Sequence, residues 1–196
     1  MPIPSKKQCY RLICEMKMLD HIVDHSLQVC RVSVFLVDHM KANISLNRGL
    51  VQASALLHDI TKTRSFSTKE NHVITGAQLL TDRGYREVGL VVKQHVRLDR
   101  YVMFDGPTEA EVVNYADKRV LHDKIVSLNE RMNYIQEKYG QEPENLKRLR
   151  WLWEKTEALE KKLFRYLTFV PDDLERLIRA ERPAEKNISL LSIQPE

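Results

Sequence analysis

Between an apolar run and a polar stretch the chain carries the pair His58-Asp59, followed by Ile60-Thr61-Lys62, with lone histidines on either side and an aspartate at 117. In chain order, His25, His58, Asp59, His72, His95 and Asp117 offer four imidazoles and two carboxylates, a donor set suited to two adjacent transition-metal ions. Such a set points to metal-dependent hydrolysis. A His-Asp dipeptide alone is weak evidence, because the chain also contains Asp20-His21, Asp24-His25, Asp38-His39 and His122-Asp123. Context separates His58-Asp59 from these. The run before it is too apolar to hold ionisable groups without partners, since a buried, unpaired carboxylate is costly or is forced to neutralise. A cation beside the pair removes that cost.

Consecutive residues on a helix point about 100° apart, so His58 and Asp59 can face one centre only if their helix ends at the pair. The polar stretch from Thr61 implies that it does. The other donors must come from other segments, as in helical bundles where inward-facing side chains converge from several helices.

Apolar residues recur at helical spacing over almost the whole chain, and no segment alternates long enough to require a strand. The expected fold class is therefore all-α, a helical bundle. A thickly apolar helix runs from Asp24 through Leu27, Val32, Phe35 and Leu36 to Met40, ending in a turn at Asn43 to Asn47. A second spans about Arg48 to Asp59. Thr61 to Glu70 reads as a polar loop, followed by helices over about Asn71 to Arg83, stopped by Gly84, and Tyr85 to Val96. Arg97 to Pro107 is a second loop. Thr108 and Glu111 form a capping box that opens a helix reaching Asp117. Ser127 to Tyr139 and Glu144 to Leu167 are amphipathic and heavily charged, suited to packing or to pairing copies of the chain, and Asp172-Asp173 caps a short helix to Ala180. The expected organisation is a main domain over 1–140, a helical extension over 141–181 and a flexible tail over 182–196.

At 196 residues one domain with a full core is the default. The 31 basic and 27 acidic residues are interspersed, without the basic block of a nucleic-acid arm, so no nucleic-acid partner is expected. Cys9, Cys14 and Cys30 lack the C-x-x-C spacing of zinc or redox sites and read as reduced thiols. No apolar stretch reaches membrane-spanning length, and Met1 to Lys7 is followed by no apolar signal core. The expected location is cytoplasmic.

The order His25, His58-Asp59, Asp117 resembles the H…HD…D signature of the HD-domain metal-dependent phosphohydrolases, and His72 and His95 resemble the two extra histidines of its binuclear members. The likeness covers about Asp20 to Val126, including Leu56-Leu57-His58-Asp59-Ile60-Thr61-Lys62, Asn71-His72-Val73-Ile74-Thr75-Gly76-Ala77, Lys93-Gln94-His95 and Tyr115-Ala116-Asp117-Lys118. It implies an all-α bundle around two divalent ions, Fe or Mn first, with Co, Ni or Zn as alternatives. It also implies hydrolysis of a phosphoester or phosphoanhydride bond, in a nucleotide or related metabolite, by a metal-activated bridging water. By resemblance His25, His58, Asp59 and Asp117 are core ligands, Asp59 bridges, and His72 and His95 complete the second ion. The pattern is closest to hydrolases of dinucleoside polyphosphates, with nucleoside monophosphates, guanosine alarmones and cyclic nucleotides left open. Thr61 stands where many relatives have Gly, and Gly84-Tyr85-Arg86 replaces the Gly-Tyr-Pro of cyclic-di-GMP phosphodiesterases.

Lys62, Arg97, Arg100 and Lys118 are the candidate phosphate contacts, with Lys62, also placed among the catalytic residues, the strongest. His21, His39 and His122-Asp123 read as structural or solvated, and Trp151, Trp153, Phe164 and Tyr166 as packing aromatics on a helical stripe. The competing reading is a non-catalytic module that binds metal or nucleotide without turning it over.

Overall fold

Five of the described helices begin at capping side chains. In the computed structural model, which describes residues 1–102 and 105–181, Ser5 and Gln8 form a capping box for α1 (Lys6–Glu15). Asn47 caps α3 (Arg48–Leu57) and Asn71 caps α5 (His72–Asp82). Thr108 with Glu111 makes the expected capping box of α7 (Glu109–Lys118), and Ser127 with Glu130 makes one for α8 (Leu128–Tyr139). Each cap oxygen accepts an N–H that the first helical turn leaves without a partner. The remaining helices are α2 (Asp20–Asp38), α4 (Lys62–Thr68), α6 (Arg86–Val92), α9 (Pro143–Phe164) and, after a 3₁₀ turn at Pro171–Asp173, α10 (Leu174–Glu181). A small hairpin joins β1 (Val120–Leu121) to β2 (Lys124–Ile125), antiparallel with Val120 opposite Ile125. The fold is otherwise all-α. The expected tail at 182–196 lies outside the described residues.

The core sits where α2, α3 and α7 pack on one another, with α6 against α3 and α7 and α5 laid on α6. Val29, Val32 and Leu36 of α2, Val51, Leu56 and Leu57 of α3, and Val112, Val113 and Ala116 of α7 are fully buried, each larger side chain contributing roughly 1.5–3 kcal/mol by leaving water. At the α5–α6 crossing a Cβ on Gly89 would lie 2.7 Å from the Ala77 carbonyl oxygen. Only glycine permits that approach, which brings the start of α5 near the turn after α6.

Four elements differ from expectation. α2 begins at Asp20 rather than Asp24, because the Leu19 N–H donates to Thr63 Oγ1 at 3.0 Å, a cap supplied from α4. The expected loop at 61–70 contains α4, a short helix with no buried residue. Its hydroxyls bond back to its own carbonyls, Ser65 to Lys62 and both Ser67 and Thr68 to Arg64. Polarity there marks exposure on the surface of the bundle, and Ser and Thr tolerate a helix when they bond this way. α6 stops at Val92, short of the expected Val96, and turns so that the His95 N–H donates to the Val92 carbonyl. α1 has only Cys9, Leu12 and Ile13 buried, a stripe too narrow to stand out in a polar segment.

The charged C-terminal helices pack on the rest of the chain. Lys162 of α9, 1% exposed, donates to both carboxylate oxygens of Glu111 at 2.7 and 2.8 Å and to the Val102 carbonyl. Beside it Tyr115 donates to Glu160 at 2.6 Å, and Arg119 reaches Tyr115, Glu160 and the carbonyls of Val126 and Pro171. α9 thus packs on α7 and α8, and α10 on α2. Among the described residues no helix is long and apolar enough to cross a membrane.

Candidate metal centre

α3 ends at the His-Asp pair. His58 is its C-cap, and the next N–H groups reach back only three residues, Ile60 to Leu57 and Lys62 to Asp59. This tight turn into α4 breaks the helical spacing, so His58 and Asp59, 0% and 1% exposed, can both point inward. His25 lies in the second turn of α2, His72 opens α5, His95 sits in the turn after α6 and Asp117 lies near the end of α7. Five segments converge.

Main-chain carbonyls set the orientation of three imidazoles. Nδ1 of His25 lies 2.8 Å from the His122 carbonyl oxygen, Nδ1 of His58 lies 2.8 Å from that of Ala55, and Nδ1 of His95 lies 2.8 Å from that of Val92. A carbonyl only accepts, so each Nδ1 carries its ring hydrogen and each Nε2 presents a lone pair. Those lone pairs face carboxylates. His25 Nε2 is 3.1 Å from Asp117 Oδ1, His58 Nε2 is 3.4 Å from Asp59 Oδ2 and 3.7 Å from Asp117 Oδ1, and His95 Nε2 is 3.6 Å from Asp59 Oδ1. His72 Nε2 joins at 3.3 Å from the same Asp59 oxygen. Lone pairs facing anions repel unless protons or cations lie between them.

The donors form two overlapping groups, His25 with His58 and Asp117, and His58 with Asp59 and His95, each with its ligand atoms within 4.8 Å of one another. His72 stands next to the second group, its ring centroid 5.4 Å from that of His95. His58 Nε2 and Asp59 Oδ1 are buried without a hydrogen-bond partner, an arrangement that native interiors rarely leave unanswered. Imidazole and carboxylate donors with the second ring nitrogen held by a carbonyl are what a divalent transition metal takes. The residues fit such an ion.

The electrostatics agree. Burial alone would raise Asp59, yet the adjacent His58 holds its carboxyl well below the usual range. Burial would likewise raise Asp117, and Lys118, His25 and His58 hold it well below that range. Burial opposes charge on His58, but Asp59 and Asp117 outweigh it and its pKa rises; His95 is lowered, by burial first. Two ionised carboxylates are kept in the interior and attract positive charge.

The candidate phosphate contacts divide. Lys62 lies beside the centre, its Nζ 2.7 Å from Asp59 Oδ2, with about a third of its side chain exposed at 36%. Lys118 is buried, its Nζ 2.5 Å from the His95 carbonyl and 3.3 Å from Asp117 Oδ2, so it holds the donors in place from inside. Arg97 is exposed and lies over the Trp151 ring at 5.0 Å, and Arg100 is exposed in the same loop. Trp151 itself is 38% exposed, unlike a core aromatic.

Three contributors escape a reading of the sequence. Asn114 Nδ2 donates to the carbonyls of Gln94 and His95, fixing the turn that carries His95; a fully buried amide one turn before Asp117 is a signal of such a role. Thr61, the departure expected to leave the ligands alone, is fully buried and contacts both the His72 carbonyl and Thr75 Oγ1 at 2.9 Å. It ties the start of α5, and so His72, to the His-Asp turn. The side chains of His122 and Asp123 are exposed as expected, but His122, at φ 56° in the hairpin turn, points its carbonyl at His25. No side-chain rule reveals that bond.

An all-α bundle with a buried centre of imidazoles and carboxylates gathered from five segments defines a class of helical metalloproteins. Within that class the sequence matches the HD domain over residues 22–128, more than half of the chain. The chain belongs to the HD-domain family, a superfamily of metal-dependent phosphohydrolases that bind divalent metals. It is 27% identical over 157 residues to a tRNA (cytidine(56)-2'-O)-methyltransferase of Picrophilus torridus, covering 69% of this chain and 42% of that protein. A shorter likeness, 41% over 59 residues, relates it to ribonuclease Y of Mycoplasma genitalium, covering 30% of this chain and 11% of that protein. The chain spans less than half the length of either relative. No solved structure matches it.

Proposed function

We propose that this protein hydrolyses a phosphoester or phosphoanhydride bond of a nucleotide or related phosphorylated metabolite, with His25, His58, Asp59 and Asp117 as core ligands of a two-ion centre and His72 and His95 completing the second site. The observation that carries this reading is the set of imidazoles whose Nδ1–H groups are taken by carbonyls while their Nε2 atoms converge on two buried carboxylates. Asp59 suits the bridging role because its oxygens diverge, Oδ2 toward His58 and Lys62, Oδ1 toward His72 and His95. Divalent ions held by these residues, with Fe or Mn favoured, would supply Lewis-acid polarisation of phosphoryl oxygens and a more acidic water. Lys62, partly exposed beside Asp59, neutralises phosphate charge as substrate enters. Lys118 and Asn114 keep Asp117 and the His95 turn in register during turnover, and the buried position of His58, His95 and Asp59 limits competing water.

The names of both relatives concern RNA, so a second reading is an RNA phosphodiester as substrate, and RNA belongs in the screen. The deciding experiment measures metal per chain, after purification without chelator or nickel, for the wild type and His58→Ala, followed by a screen of nucleotides and short RNA in the matching metal. Near two Fe or Mn per chain, lost in the variant, with turnover of one substrate class, is the expected result. Metal-loaded protein that binds nucleotides and hydrolyses nothing would establish the non-catalytic module instead.

A further inference from the structure

Where the loop after His95 meets α9, an indole is left open to solvent among cations. Trp151 of α9 is 38% exposed, and cations reach its ring from both elements: the Arg97 guanidinium at 5.0 Å from the loop, and Lys155 Nζ at 5.9 Å from the next turn of α9. Tyr101, from the same loop as Arg97, meets the ring edge-on at 5.5 Å. Hydrogen bonds hold the loop in place. The Asp99 N–H donates to Gln94 Oε1 at 3.1 Å, and Lys162 of α9 donates to the Val102 carbonyl at 2.7 Å. A cation over an indole that served only to tie the loop to α9 would gain most with the ring closed from water. This ring is not closed.

The charge around it has one sign. Segments 97–101 and 147–155 together hold six basic and two acidic side chains, and Lys147, Trp151 and Lys155, spaced by four, follow one stripe of α9. Arg97, Lys147 and Arg148 are exposed. Charge read along the chain misses this patch, because two distant segments supply it. Exposed aromatic faces flanked by arginine and lysine suit a single strand of nucleic acid, whose bases stack on rings and guanidinium planes while its phosphates meet the cations. The stripe from Lys147 to Lys155 is about 12 Å long at a rise of about 1.5 Å per residue, more than a lone nucleotide needs. We propose that this surface, centred on Trp151 with Arg97, Tyr101 and Lys155, docks single-stranded RNA by stacking bases on the indole. The choice of RNA over DNA rests on the RNA reading of the substrate; the surface rests on the contacts themselves. Arg97 stands two positions after His95, so a strand docked here lies beside the turn that carries a donor of the centre.

The test follows fluorescence anisotropy of a labelled single-stranded RNA of about 12 nucleotides with manganese-loaded full-length protein over a range of salt, the RNA checked intact afterwards and DNA of matching sequence run alongside. Circular dichroism is recorded for each variant. Wild type should bind RNA with an affinity that falls as salt rises. Trp151→Leu, which keeps apolar bulk and removes the stacking face, should weaken binding about 5- to 100-fold, and Trp151→Phe should restore most of it. Arg97→Gln should bind more weakly and reduce the slope of log affinity against log salt by about 0.7. In Trp153→Phe, which leaves Trp151 as the remaining one of the two tryptophans, RNA should quench the indole emission. No salt-dependent RNA binding by wild type, or equal binding by wild type and folded Trp151→Leu, would overturn the docking surface; DNA bound as tightly as RNA would overturn the choice of RNA. Cleavage is assayed separately. Binding that depends on Trp151 in a protein that cleaves no RNA leaves the surface standing and removes RNA as substrate, whereas RNA cleavage with binding unchanged in Trp151→Leu removes the surface and keeps the substrate reading.

Discussion

α7 carries two buried charged clusters on different faces, and they are built to opposite rules. On the Glu111, Tyr115 and Arg119 face, spaced by four residues, every charge meets a counter-charge: Lys162 closes on both Glu111 oxygens, and Arg119 and Tyr115 close on Glu160. On the Asn114, Asp117 and Lys118 face the amide and ammonium donors reach carbonyls, but Asn114 Oδ1 and, in the centre, His58 Nε2 and Asp59 Oδ1 are buried without hydrogen-bond partners, and three imidazole lone pairs are aimed at carboxylates. Satisfaction marks the first cluster as structural. Imidazole lone pairs gathered on two buried carboxylates mark the second as a place for a cation.

The largest effect should come from breaking the open cluster. Asp59→Asn keeps the shape of the side chain and removes its charge; turnover should drop by roughly 10³-fold or more, because the centre acts as a unit. Circular dichroism should show an unchanged helical fold. Wild-type turnover in this variant would remove Asp59 from the mechanism. The closed cluster should respond in stability instead. Lys162→Met leaves Glu111 buried and unpaired and should cost about 3–5 kcal/mol in urea unfolding. Adding Glu111→Gln, which removes the stranded charge and keeps the capping box, should recover most of that. Equal losses in the single and double variants would mean that lost packing, not the isolated charge, dominates.

Acid sharpens the contrast further. A proton on His58 Nε2 excludes a metal, and that pKa is raised above its ordinary 6.5 while the Asp59 and Asp117 carboxyls are held well below 3.8. Metal affinity, followed by chelator competition, should therefore weaken as pH falls from above 6.5, by about tenfold per pH unit for each displaced proton. Affinity flat down to the carboxylate range would assign the competing proton elsewhere. The smallest expected effect is at Thr61→Val, which keeps volume and deletes the contacts to His72 and Thr75. A loss of about tenfold in metal affinity is expected, with about 1–2 kcal/mol of stability; unchanged affinity would show that α5 holds His72 without Thr61.

Much of this molecule is legible in its residues alone. The bundle, the Asn47 turn, the Thr108 capping box and the six candidate donors follow from local residue types, because caps and helical periodicity act over a few neighbouring residues. The α4 helix is hidden because polarity reports exposure, and an exposed helix and an exposed loop share that composition. Lys118 reads as a phosphate contact from its closeness to Asp117 in sequence; only packing shows that it is inside, 3% exposed.

The sequence by itself determined the donor chemistry, the all-α class and the end of α3 at His58-Asp59, since each depends on side-chain identity and short-range spacing. The tertiary structure decided which nitrogen each imidazole presents, and which lysine is buried among the donors and which is partly exposed beside them. Those depend on carbonyls such as that of His122, which lies 97 residues from His25 and 2.8 Å from its Nδ1. Main-chain groups are the same at every position, so their partners are chosen only when distant segments pack.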